Sequence, residues 1–66
     1  MSVAKTVELS ADSSQGFEDA IRVGVAKAAE TIHNIEGAYV KEQKVLIDGS
    51  QITTFRVHLQ ITFRVD

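Results

Sequence analysis

The chain has 66 residues, seven basic and nine acidic side chains for a net charge of −2, and neither cysteine nor proline. A chain this short buries only about 60% of its unfolded surface and is marginal alone; with no cysteine, disulfide and thiolate–metal staples are excluded and oligomerisation remains. Interspersed charges exclude the broad basic field of a general nucleic-acid binder, and no run approaches the roughly 18 apolar residues of a membrane span.

These bounds, with an N-terminus lacking the apolar core of a signal peptide, give the expectation of one soluble cytoplasmic domain over residues 1–66.

Val3, Val7 and Leu9 alternate with polar residues, which predicts a first strand over residues 3–10. In the polar cluster that follows, Ser13 or Ser14 has the hydroxyl needed to cap a helix, and Glu18 and Asp19 would then sit near its positive end. From Gln15 to His33, Phe17, Ala20, Ile21, Gly24, Ala28 and Ile32 recur at spacings of three and four, an amphipathic helix with Glu18, Arg22 and Lys27 on its solvated side. Gly24 costs about 1 kcal/mol relative to alanine in a helix, which predicts a close helix–sheet approach there. His33 and Asn34 suit the helix end, because asparagine tolerates the left-handed conformation.

Residues 37–47 form a second strand, and Asp48-Gly49 reads as a tight two-residue hairpin turn. Counting from that turn pairs Lys41 with Arg56, Tyr39 with His58 and Gly37 with Gln60 on one face, and Val40 with Val57 and Ala38 with Leu59 on the other. The final stretch, residues 52–65, alternates strictly: Phe55, Val57, Leu59, Ile61, Phe63 and Val65 against Thr54, Arg56, His58, Gln60, Thr62 and Arg64. Fourteen residues of strand span about 46 Å, whereas a helix of about 19 residues spans about 28 Å. The expected fold is therefore α+β, a β-α-β-β chain with a three-stranded antiparallel sheet wrapped on one helix, whose surplus apolar length is buried by other copies.

This pattern resembles the dodecin family over essentially the whole chain. The matching pieces are Val7-Glu-Leu-Ser-Ala-Asp-Ser-Ser14, Phe17-Glu-Asp-Ala-Ile21 with Ala26-Lys-Ala-Ala29, and the closing Thr54-Phe-Arg-Val-His-Leu-Gln-Ile-Thr-Phe-Arg-Val65. The resemblance implies a hollow homododecamer that binds flavins, each resting on a tryptophan after the helix and hydrogen-bonded by a glutamine on the last strand. Here the tryptophan position falls on Gly37 and the glutamine position on Arg56. Both departures are similar to the flavin-independent branch of the family, which includes calcium-associated members.

On the polar hairpin face, Gly37, Tyr39, Gln43, Arg56 and His58 are the candidate cofactor contacts, with Tyr39 offering a displaced stacking surface. A Lys41–Arg56 pair would call for an anion, either a ligand phosphate or a carboxylate such as Glu36 or Glu42 of another copy. The plainer reading of these residues is a solvated face or a lining of interior water. His33 and His58 have no second His or Cys at ligand spacing, so no metal site is expected, and no Ser-His-Asp constellation or phosphate loop appears in the sequence. The expected protein is a non-enzymatic binding or storage compartment for flavin (FMN, FAD or riboflavin), with a flavin-independent shell of structural or ion-binding role as the alternative.

Overall fold

The computed structural model describes residues 2–66. Strand β1 (Ala4–Ser13), helix α1 (Phe17–Ala29), strand β2 (Ile35–Asp48) and strand β3 (Gln51–Arg64) follow in that order. The sheet order is β1-β3-β2, with β3 antiparallel to both neighbours. β1 and β2 therefore run parallel to one another, and α1 is the crossover that parallel strands require. The expected β-α-β-β architecture with a three-stranded antiparallel sheet is the one observed, and the strand with the strictest alternation takes the centre.

Val57, Leu59 and Ile61 are completely buried and form the core with Ala20 and Ala28. Ala20, Gly24 and Ala28 recur every fourth residue, so the helix meets the sheet along a stripe of small side chains. A Cβ on Gly24 would lie 2.9 Å from Leu59 Cδ1, 3.1 Å from Ala11 Cβ and 3.2 Å from Leu9 Cδ1. The close approach expected from Gly24 is thus present, over β1 and β3. Phe17 closes one end of the core edge-on to Phe55, ring centroids 5.2 Å apart at 81°. β2 contains no buried residue, and Ala38 on it is exposed instead of covered by α1.

Every element's bounds differ somewhat from those predicted; β2, for one, begins at Ile35 instead of Gly37. β1 continues to Ser13, because Asp12 and Ser13 pair with Arg56 and Phe55 on β3. Ser13 is consequently not a helix cap; its Oγ accepts from the Gln15 backbone N–H at 2.9 Å and donates to Asp19 Oδ2 at 2.7 Å. The helix begins at Phe17 and stops at Ala29, with Thr31 and Ile32 closing back onto the Ala28 carbonyl. His33 lies beyond the last turn, whereas Asn34 does take the left-handed conformation, φ 63°.

The hairpin register is the larger correction. Asp48 pairs with Gln51, so the turn is Gly49-Ser50 and only Gly49 has positive φ, at 67°. Register shifts then fall between Leu46 and Ile47, between Val40 and Glu42, and between Ile35 and Gly37. Arg56 consequently faces Lys44, not Lys41; His58 faces Glu42, not Tyr39; and Gly37 faces Thr62. Each bulge adds an unpaired residue and raises the local twist, which simple counting from the turn does not capture.

Candidate functional site

On the side of the sheet away from α1, alternation along β3 presents Arg56, His58, Gln60, Thr62 and Arg64, the residues between the buried Val57, Leu59 and Ile61. β1 contributes partners opposite them: Asp12 to Arg56, Ser10 to His58, Glu8 to Gln60. β2 contributes Lys44 opposite Arg56, Glu42 opposite His58 and Tyr39 opposite Gln60. The bulge at Lys41 is what brings both Tyr39 and Glu42 onto this face, since a regular strand would separate residues of odd spacing.

Two polar clusters result. Arg56 donates from Nε to Asp12 Oδ1 at 2.8 Å and from Nη2 to Asp12 Oδ2 at 2.9 Å, a bidentate pair. These hydrogen bonds hold the Asp12 carboxyl below its ordinary range and raise the Arg56 guanidinium. One row along, the His58 ring lies between Ser10 and Glu8, with Nδ1 3.1 Å from Ser10 Oγ and Nε2 2.7 Å from Glu8 Oε1. Lys41 reaches the other Glu8 oxygen at 3.6 Å. The hydrogen bond from His58, then the charge of Lys41, hold the Glu8 carboxyl below its ordinary range.

Both cations assigned to an anion by counting are therefore paired within the chain, Arg56 with Asp12 and Lys41 with Glu8. Within the chain Glu36 pairs with Arg64, at 3.7 Å. The sequence signal for the true partners was the alternation Glu8, Ser10, Asp12, which places all three on one face if the first strand is run on past Ser10.

Beside these clusters lies an open cavity of about 520 Å³ lined by Ser10, Glu42, Gln43, Lys44, Arg56 and His58. Three of the five sequence candidates, Gln43, Arg56 and His58, meet there. Tyr39 and Gly37 lie further along β2, Tyr39 65% exposed and Gly37 with nothing within 4 Å of an added Cβ. Ser10, Glu42 and Lys44 were not singled out as contacts, because their place depends on the pairing of β1 and on the bulge. Among the described residues no group of three histidines or carboxylates could hold a metal ion, and no helix is long and apolar enough to cross a membrane.

Residues 3–66 match the dodecin family model. The chain is 33% identical to a dodecin of Thermus thermophilus over 64 residues, covering 97% of this chain and 93% of that one. It is 29% identical to a protein of Mycobacterium tuberculosis named calcium dodecin, over 98% of this chain and 92% of the other. Among solved structures, an arginine-to-alanine variant of the Thermus thermophilus dodecin superposes with a TM-score of 0.94 at 32% identity, covering 100% of this chain and 98% of that one.

Proposed function

The chain belongs to the dodecin family of small binding proteins, and from that premise we propose that it is a single domain over residues 1–66 that assembles as a homododecamer and sequesters a flavin or related planar cofactor. Gly37, Tyr39, Gln43, Arg56 and His58 are the contacts. Four of them lie on the polar face of β2 and β3, whereas the bulge before Glu42 leaves Gln43 opposite the buried Val57, a correction to the single face expected from counting, so that Gln43 borders the cavity only from the strand itself. The observation that carries this reading is the 520 Å³ cavity, a size within the roughly 300–1,000 Å³ of small-molecule sites, with hydrogen-bonding groups at its wall and the Tyr39 ring exposed on the same face. The role is sequestration, and the compartment is the cytoplasm.

Gly37→Trp tests it. A side chain at residue 37 has open space before it, and an aromatic surface contributes about 0.5–1.5 kcal/mol beyond its area, or roughly two- to tenfold in affinity. Riboflavin fluorescence should be quenched at lower protein concentration by the variant than by the wild type. Coincident titration curves would remove flavin from this part of the sheet.

A second reading, a flavin-independent shell with a structural or ion-binding role, is favoured by one specific feature: Asp12 occupies the Arg56 guanidinium where the family hydrogen-bonds its flavin. A cation would then draw ligands from more than one copy. A colourless preparation whose melting temperature rises with added calcium would select this reading over the first.

A further inference from the structure

One row of side chains crosses the whole sheet beside the cavity: Asp12 on β1, Arg56 on β3 and Lys44 on β2. Arg56 and Lys44 stand directly opposite one another, an arrangement that is repulsive when unrelieved. Among the described residues Lys44 makes no ion pair, while Arg56 is held through two hydrogen bonds by Asp12. A guanidinium and an ammonium side by side at a cavity wall would ordinarily make a site for a phosphate, because the guanidinium fork fits two oxygens and the ammonium adds charge. Here Asp12 engages that fork and neutralises Arg56, and the Glu42 carboxylate lines the same wall as Lys44 without forming an ion pair with it among the described residues. The formal charges of Lys44, Arg56, Glu42 and Asp12 sum to zero.

We propose that Asp12 is the charge-selectivity residue of this cavity: by clamping Arg56 it keeps the guanidinium from phosphate-bearing ligands, so the cavity takes uncharged ligands as readily as their phosphorylated forms. Loss of the Asp12 carboxylate turns the same wall into an anion site built from Arg56 and Lys44. The proposal rests on the reading that this cavity receives a ligand, and deepens it by naming the ligand class admitted.

Calorimetric titrations with riboflavin, flavin mononucleotide and inorganic phosphate test it on the assembled wild type, Asp12→Asn and Asp12→Asn/Arg56→Gln. The wild type should bind the two flavins within about threefold of one another and give no phosphate heat. Asp12→Asn should favour flavin mononucleotide over riboflavin by about tenfold or more, in line with a charge-assisted hydrogen bond, and should bind inorganic phosphate, both effects shrinking with salt and vanishing in the double variant. An unchanged flavin ratio together with no phosphate binding in Asp12→Asn overturns the proposal, as does a gain that survives loss of Arg56. If neither flavin binds any form, the sequestration reading fails and the phosphate arm alone decides this one. Should Asp12→Asn not fold, Asp12→Thr, which keeps a strand-forming residue at the position, takes its place.

Discussion

At Gly24 two single-residue effects oppose each other. Alanine there would gain up to about 1 kcal/mol of helix propensity, but its Cβ would meet Leu59 Cδ1 at 2.9 Å and two β1 atoms at little more than 3 Å. The Leu59 terminus can rotate; the Ala11 Cβ is fixed to the backbone and cannot. Overpacking of this kind costs about 1–3 kcal/mol, so Gly24→Ala should lower the melting temperature, and a rise would mean that α1 sits further from the sheet. The polar face carries a second residue-scale prediction. Glu8 and Asp12 both have depressed carboxyl pKa values, Glu8 chiefly through His58 and Asp12 chiefly through Arg56. A carboxyl lowered in the folded chain contributes stability that is present above its unfolded pKa and lost as pH falls through the folded one. Thermal melts should therefore show stability declining below about pH 4, and a Glu8→Gln/Asp12→Asn chain should decline less steeply. Parallel slopes for the two chains would show that these pairs do not persist in solution.

Among the elements, the hairpin shows what alternation reveals and what it hides. Its tip depends on Gly49, whose φ of 67° costs a residue with a Cβ about 1–2 kcal/mol. Gly49→Ala should destabilise by about that amount in denaturant melts, and Gly49→Asn by less; equal stability of all three would mean the turn has relaxed. β3 was legible almost to the residue because its period of two runs unbroken, and Val57, Leu59 and Ile61 were legible as core for the same reason. The helix stripe was legible too, though α1 stops at Ala29 because Asn34 and the Arg64 N–H to Asn34 carbonyl bond anchor the start of β2 instead. Two features that build the site left no periodic trace. A bulge at Lys41 is a local twist decision between strands, and β1 continues through Asp12 to Ser13 on a ladder with β3 that sets Asp12 against Arg56, 44 positions away in sequence. Those two facts moved Lys44 and Glu42 to the cavity, set Asp12 against Arg56 beside it, and took Lys41 away from Arg56.

For the molecule as a whole, the mismatch of lengths governs. Thirteen residues of α1 cover about 20 Å, whereas β3 runs about 46 Å in a chain 51 Å long. The overhang is apolar at both ends: Ile47 and Ile52 pair across the strands near the hairpin tip and are 61% and 54% exposed, and Val3 and Val65 meet at the opposite end. By alternation from Val45, which faces Phe55, Ile47 lies on the helix side of the sheet beyond the reach of α1. Such exposed apolar surface on a chain of marginal size is what association between copies buries. Light scattering on purified protein should accordingly give a mass many times the 7.2 kDa of one chain. Ile52→Asp locates the contact. In a lone chain Ile52 is largely solvated, so the substitution costs little, on the order of 0.5 kcal/mol; in an assembly that covers the tip it buries an unpaired carboxylate, at a cost of several kcal/mol. The variant should therefore scatter at a much lower mass than the wild type at equal concentration, whether or not the released chain stays folded. Val57→Asp provides the contrast, because Val57 is buried within its own chain and its loss should abolish the folded circular dichroism at every concentration. An Ile52→Asp protein of unchanged mass would place the hairpin tip outside the assembly contacts and leave the overhang at Val3 and Val65 as the surface through which copies meet.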